Sequence, residues 1–156
     1  MPERVSAGIL LFRWRDASLE VLLAHPGGPF FTRKDAGHWS IPKGEPDDGE
    51  AELLAVARRE FEEETGFAPP ATDTLPLGAI TQKGGKVVHC WAVEGDVEPA
   101  QARSNEFEVE WPPRSGRRAR FPEVDRIEWF DLDEARRRIK PAQVPLLDRL
   151  EDGQHE

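Results

Sequence analysis

The chain has 156 residues, 30 acidic and 21 basic side chains, a formal charge of -9, and 38% hydrophobic against 33% charged residues. That balance describes a single folded domain over residues 1–156, with enough interior for a core, and excludes a disordered chain. The apolar run at 7–12 is too short to span a bilayer, the start Met1-Pro2-Glu3-Arg4 lacks a basic-then-apolar leader, and the lone Cys90 excludes an internal disulfide or cysteine-based zinc site.

Residues 5–14 read as a strand, with the apolar run Ile9-Leu10-Leu11-Phe12 typical of a covered sheet. A turn at Asp16-Ala17-Ser18 leads to a second strand at 19–25, so the two form a hairpin. Residues 26–38 lack periodicity and make a loop longer than most connections, which points to a functional role or a flap. A short extended piece follows at 39–42. The turn Asp47-Asp48-Gly49 is placed to cap a helix from about Glu50 to Thr65, which Gly66 ends and Pro69-Pro70 keeps from resuming. Strands are expected at 75–82, 87–93 and 107–111, with a Gly84-Gly85 turn between the first two. Residues 114–120 are a basic loop with four arginines; 126–132 is a strand, and 133–139 and 144–150 are short helices. The fold class is α+β, a mixed α/β arrangement with helices packed on one sheet.

The charge is not evenly spread. Residues 45–64 hold nine acids against Arg58 and Arg59, a net -7 that leaves -2 for the rest of the chain. At about 100° per residue, Leu53, Leu54, Val56, Ala57 and Phe61 form the apolar arc of the helix. Glu60 and Glu64 project within that arc, Glu63 lies at its margin, and Glu52, Glu62, Arg58 and Arg59 lie outside it. An ordinary solvated acidic helix would keep its glutamates off the packing face. Like charges at i and i+4 destabilise a helix, and a desolvated carboxylate without a partner costs several kcal/mol. A hard divalent cation such as Mg²⁺ or Mn²⁺ relieves both problems, so a surface helix and a metal site stand as the two readings.

The run Gly44-Glu45-Pro46-Asp47-Asp48-Gly49-Glu50, followed by Arg59-Glu60-Phe61-Glu62-Glu63-Glu64-Thr65-Gly66-Phe67, resembles the signature of Nudix hydrolases. Eight residues separate Glu50 from Arg59 where the signature has seven, so an extra residue must be absorbed before the helix. The resemblance implies a mixed sheet sandwiched between helices, and hydrolysis of a nucleoside diphosphate linked to another group with Mg²⁺ or Mn²⁺. It assigns Glu60, Glu63 and Glu64 as metal ligands and catalytic acids, adds the carbonyl of Lys43, and has Arg59 hold one of the carboxylates. A further acid on a later loop often joins the site in the family; Glu123 is the first choice here, Glu106 or Glu128 the next. Any of Glu60, Glu63, Glu64 or that later acid is a candidate base.

The stretch Trp39-Ser40-Ile41-Pro42-Lys43-Gly44 is similar to the lead-in of Nudix enzymes that cleave dinucleoside polyphosphates or inositol pyrophosphates. Lys43 would meet a phosphate as a point charge, Trp39 would stack on a base or pack in the core, and Lys83, Lys86 and His89 flank a hairpin that would face the cleft or solvent. Arg114, Arg117, Arg118 and Arg120 would grip a polyphosphate tail or RNA, or be a solvated loop. His25, His38, His89 and His155 lack zinc-type spacing. The leading expectation is a dinucleoside polyphosphate hydrolase, followed by a nucleoside triphosphate pyrophosphohydrolase. A non-catalytic nucleotide sensor or an RNA-end binder is the alternative of another class. The expected partner is a small nucleotide or polyphosphate rather than a membrane or, given the net negative charge, nucleic acid; the expected compartment is the cytoplasm.

Overall fold

A computed structural model describes residues 4–154, which leaves His155 outside the described residues. In chain order the elements are β1 (Val5–Arg15), β2 (Ser18–Pro26), β3 (Lys43–Gly44), α1 (Leu53–Thr65), β4 (Thr74–Thr81), β5 (Val87–Glu94), β6 (Glu106–Glu110), β7 (Arg118–Pro122), β8 (Val124–Asp131), α2 (Leu132–Arg138) and α3 (Val144–Gly153). The main sheet runs β4-β5-β1-β2-β8, with β3 added to β1. β1 and β5 are parallel, from Val5 opposite Val87 to Phe12 opposite Glu94, and the other pairs are antiparallel, so the sheet is mixed.

The continuous apolar stretch of β1 is covered on both faces, as its composition requires. Ile9, Leu11, Leu22, Ala24 and Val93 meet Val56, Ala57 and Phe61 of α1 on one side. Leu10, Phe12, Val21, Leu23, Val88 and Ala92 meet Ala135, Ile139, Leu146, Leu147 and Leu150 on the other. The sheet is therefore sandwiched between α1 and the α2–α3 pair. At the β1–β2 turn Asp16 and Ala17 take φ of 49° and 66°, the left-handed geometry of a two-residue hairpin loop. No described helix is long and apolar enough to cross a membrane.

Among the differences from the expected elements, two bear on the site. α1 begins at Leu53 rather than near Glu50, and Glu52 at its N-cap makes no side-chain capping bond. The Asp47–Gly49 turn does not cap the helix because Glu50 engages it first: the Asp47 N–H donates to the Glu50 carboxylate at 2.7 Å, and the Glu50 N–H to the Asp47 carbonyl at 3.0 Å. The second change concerns the basic loop. Residues 118–122 are strand β7, paired with β6 from Glu106 opposite Pro122 to Glu110 opposite Arg118. Its alternation, Arg118-Ala119-Arg120-Phe121, matches that of Glu106-Phe107-Glu108-Val109, so arginines meet glutamates on one face and apolar side chains meet on the other.

Candidate active site

Two glycines bring β3 and α1 together. Gly8 of β1 allows residues 41–43 to approach: a Cβ there would lie 2.6 Å from the Pro42 carbonyl and 2.8 Å from the Lys43 Cβ. Gly44 lies directly under the Glu60 carboxyl group, and any side chain at 44 would occupy the same space. The helix ends at Gly66, whose φ of 82° lets its N–H reach the Glu62 carbonyl at 2.8 Å.

Arg59 organises the start of the site. Its Nε and Nη2 grip the two oxygens of Glu50 at 3.0 and 2.8 Å, and its Nη1 donates to Glu60 at 2.9 Å and Glu63 at 3.0 Å. The bidentate pair with Glu50 forms despite the extra residue, because residues 51–52 stay outside the helix and Glu52 is extended before Leu53. Glu50 is held below the ordinary carboxylate range by Arg59 first and the Asp47 amide second.

Glu60 and Glu64 are each 9% exposed, on the packing side of α1. Burial raises both, and neighbouring carboxylates raise them further: Glu63 and Glu123 act on Glu60, while Glu60 and Glu123 push Glu64, with its burial, to about 8. Glu123 itself is raised by burial and by Glu63. A relay of backbone bonds carries Glu123 to this position. The Asn105 N–H donates to the Glu63 carbonyl at 2.7 Å, the Glu123 N–H to the Asn105 carbonyl at 2.9 Å, and the Gly27 N–H to the Glu123 carbonyl at 2.8 Å. Glu106 instead pairs with Arg120 at 3.3 Å, and Glu128 alternates with Ile127 away from the α1 face, so neither joins the group. Asn105 carries no sequence pattern that would mark it.

The cleft beside these acids, about 140 Å³, is lined by His38, Ser40, Ile41, Lys43, Glu64, Glu123 and Lys140, among others. Lys43 is pushed down to about 8 by burial and then by Lys86 and Lys140, with Glu64 opposing. Trp39 does not reach the cleft. Its alternation with Ser40 turns it inward; it is 0% exposed, stands edge-on to His25 and Phe130 at 5.1 and 5.0 Å, and donates from Nε1 to Asp35 at 2.8 Å. It has no free face for a base, so the stacking role is corrected to a core role. His89 sits in β5 opposite Ala7 and Ala79 and is absent from the cleft lining. A larger recess of about 350 Å³ near Trp14, Leu19, Asp131 and Glu151 has acids but no basic side chain in its wall, which suits it poorly to phosphate.

The donor chemistry fits a hard divalent cation: four neighbouring carboxylates, three of them (Glu60, Glu64 and Glu123) raised by burial and by a nearby carboxylate, with Glu64 making no ion pair among the described residues. Among those residues no three acidic, imidazole or thiol side chains converge on one point, because Glu60 and Glu63 both turn onto Arg59 Nη1.

The pattern of the NUDIX domain matches residues 2–150, nearly the whole chain. The chain belongs to the Nudix family. It is 32% identical over 147 residues to a protein of Mycolicibacterium smegmatis named 8-oxo-(d)GTP phosphatase, covering 83% of this chain and 35% of that one, so it spans about a third of that relative's length. Its fold is similar to the C. elegans Ap4A hydrolase in a binary complex, at a TM-score of 0.66 and 21% identity over 97% of this chain and 98% of that one. It is also similar to the NUDIX domain of Shewanella oneidensis NrtR complexed with ADP ribose, at a TM-score of 0.66 and 18% identity over 99% and 90% of the two chains. At these identities the two solved structures speak for the fold alone.

Proposed function

We propose that this Nudix chain hydrolyses a diphosphate linkage in a nucleoside diphosphate joined to another group, with a dinucleoside polyphosphate as the first substrate class. The observation that carries the reading is the meeting, in one small cleft, of two raised carboxyl groups, Glu64 and Glu123, with half-buried Lys43, while Glu60 acts on Glu64 from the same helix and Glu63 acts on Glu123. Glu60, Glu63, Glu64 and the Lys43 carbonyl would hold Mg²⁺ or Mn²⁺, which when bound supplies charge neutralisation at the phosphate oxygens and an acidified water. Lys43 meets a phosphate oxygen with its ammonium. Glu123, which lacks an ion-pair partner among the described residues and is raised by burial, takes the proton from the attacking water. Arg59 keeps Glu60 and Glu63 oriented, and the buried side of α1 keeps bulk water from Glu64.

A nucleoside triphosphate is the second reading, favoured by the 32% identity to the protein named 8-oxo-(d)GTP phosphatase. The cleft itself, well below the usual 300–1,000 Å³ of a site that encloses a ligand, favours contact with a phosphate chain while the nucleosides stay outside. The test is a panel of dinucleoside polyphosphates, nucleoside triphosphates and ADP-sugars with Mg²⁺ and with Mn²⁺, each product identified. Release of a nucleoside triphosphate from a dinucleoside tetraphosphate supports the first reading; pyrophosphate from a triphosphate supports the second. Tight nucleotide binding with no product over hours would put the chain among non-catalytic sensors.

A further inference from the structure

Phe30 and Trp111 meet edge to face, with ring centroids 5.6 Å apart and planes at 87°. Phe30 is 55% exposed and Phe31 37%, two of the three exposed large apolar side chains among the described residues, while Trp111 is half-buried. The loop after β2 and the β6–β7 hairpin that carry these rings lie along one another. Gly27 has no room for a Cβ because the Pro122 carbonyl fills that space, and its N–H donates to the Glu123 carbonyl at 2.8 Å. Gly28, at a φ of 95°, lies against the Phe107 ring, which a Cβ would approach to 2.7 Å. Phe30 then reaches Trp111. Residues 27, 28 and 30 thus step along β6 away from the cleft, which Pro26 and Glu123 both line. The four strand residues from Phe107 to Trp111 span about 13 Å.

Trp111 continues the alternation of β6, because its N–H donates to the Arg117 carbonyl at 2.9 Å. Phe107, Val109 and Trp111 therefore share a face with Ala119 and Phe121, and all five stay half-buried. The loop covers part of that face, and its tip is fixed. The Phe31 N–H donates to the Gly28 carbonyl at 3.3 Å, Thr32 Oγ1 to the Pro29 carbonyl at 3.0 Å, and the Lys34 N–H to the Phe31 carbonyl at 3.0 Å. Beneath the tip, His25 is 2% exposed and donates from Nε2 to the Lys34 carbonyl at 2.7 Å, while its Nδ1 lies 2.7 Å from Asp125. An exposed phenylalanine adds little to a core. Two crowded glycines, a run of turn bonds and a buried histidine that hold one open beside a tryptophan suit a ligand with a flat apolar ring.

The position decides which ring. The cleft is too small to enclose a nucleoside, so the bases of a nucleotide substrate lie outside it. The base nearest the carboxylates stays close to the cleft mouth, whereas the far end of β6 is reached only across a chain of phosphates. The same loop tip and hairpin end carry Arg33, Lys34, Arg114 and Arg117, all exposed and without ion pairs among the described residues, so the surroundings favour an anionic ligand.

We infer that Phe30 and Trp111 form a stacking platform for the second base of a dinucleoside polyphosphate, the one that the phosphate chain separates from the carboxylates. Both are specificity-determining residues. Stacking uses the flat face that every base has, so the platform distinguishes substrates with a distal base from those without one, rather than one base from another. This assignment rests on the diphosphate-cleaving reading for which base is distal, but the stack forms whether or not a bond is cleaved.

Diadenosine tetraphosphate and adenosine tetraphosphate share their phosphate chain and differ in the distal nucleoside. Both are titrated by calorimetry, in Mg²⁺ buffer, into the full chain carrying Glu64→Gln to slow turnover, and into the same chain with Phe30→Ala, Phe30→Tyr or Trp111→Ala added. The two-base ligand is expected to bind at least about tenfold tighter than the one-base ligand, the margin of one base stacked on an aromatic side chain. Either alanine should erase that margin, and Phe30→Tyr should retain it, which separates a lost ring from a lost fold. In turnover, Phe30→Ala alone should lower kcat/KM at least about tenfold more for the diadenosine substrate than for adenosine tetraphosphate, mainly through KM. Equal affinity for the two ligands, or an equal penalty on the two substrates, overturns the platform and leaves hydrolysis standing. A two-base preference in binding, with no hydrolysis by the unmodified chain, keeps the platform and overturns the hydrolase reading. A nucleotide-free dimer that sediments as such and is dispersed by Phe30→Ala would make this face a contact between copies and overturn the platform too.

Discussion

Two groups of glutamates in this chain share their residue type and local density but differ in what surrounds them. On the β6–β7 hairpin, Glu106 pairs with Arg120 and Glu108 with Arg118, each at 3.3 Å, with side chains 45–65% exposed. Each of these two acids has its own arginine, Glu110 accepts from the Arg114 backbone N–H, and water screens the rest. On α1, Arg59 serves Glu50, Glu60 and Glu63 together, Glu64 has no ion-pair partner among the described residues, and the side chain of Glu60 is only 12% exposed. The hairpin keeps its acids paired or in water, whereas α1 carries a surplus of negative charge in a place where charge is costly. Acid content does not locate a site; uncompensated, desolvated acid does.

The sharpest way to break this contrast is to remove α1 carboxylates without changing shape. Glu63→Gln and Glu64→Gln should each cut Mg²⁺-dependent turnover by about 100- to 1,000-fold, the scale of losing one electrostatic contact to a developing charge. Far-ultraviolet circular dichroism should be unchanged, because neither side chain supports the apolar contacts of Val56, Ala57 and Phe61. Unaltered hydrolysis in both variants would falsify the assignment of α1 as the active helix.

A second effect follows from the Glu64 carboxyl being pushed up to about 8 from an ordinary 4.5, by burial first and by Glu60 and Glu123 next. A raised folded value means that the native state holds a proton the unfolded chain gives up. The resulting stability is fully present below about pH 4.5 and is lost as pH rises toward 8. Metal-free protein should therefore melt at progressively lower temperature between pH 5 and pH 8, by as much as a few kcal/mol of stability. Added Mg²⁺ should restore more at pH 8 than at pH 5, where the carboxyl is protonated and a poor ligand. Glu64→Gln should flatten the slope without abolishing it, since Glu60 and Glu123 are raised as well. A metal-free melting temperature that climbs steadily across this range would contradict the burial of an uncompensated charge.

How far these differences could be read from sequence depends on the range of the interactions that cause them. The placement of Glu60 and Glu64 inside the apolar arc of α1 was legible because helical periodicity is local, and the structure buries both. The β1–β2 hairpin was legible because its two apolar runs flank a short turn. Lys140 and Gln143 were not, since their placement comes from backbone bonds to Trp39 and side-chain bonds to Ser40 and Gln82, 61 to 103 residues away. Trp39 was ambiguous in sequence because a tryptophan suits base stacking or core packing equally, and only its 0% exposure decides. Strand β7 was hidden by its arginines: a basic run suggests a solvated loop until cross-strand glutamates appear opposite it.

The smallest expected effect lies on the hairpin and tests the other half of the contrast. Arg120→Ala removes one partner of an exposed pair whose side chains are 64% and 52% exposed. Because water and salt already screen Glu106, the loss should be below about 1 kcal/mol and should shrink further at high ionic strength. Turnover should change little, since Glu106 stands outside the carboxylate group of α1. The hairpin nevertheless ends one residue before Glu123, so a substitution that unzips it would reach the site through the Asn105–Glu123 backbone bond at 2.9 Å. Measuring melting temperature and kcat/KM of Arg120→Ala side by side distinguishes the two routes. A small stability change with unchanged kcat/KM marks the pair as a surface ion pair, whereas a fall in kcat/KM at unchanged melting temperature would make β6–β7 the element that orients Glu123.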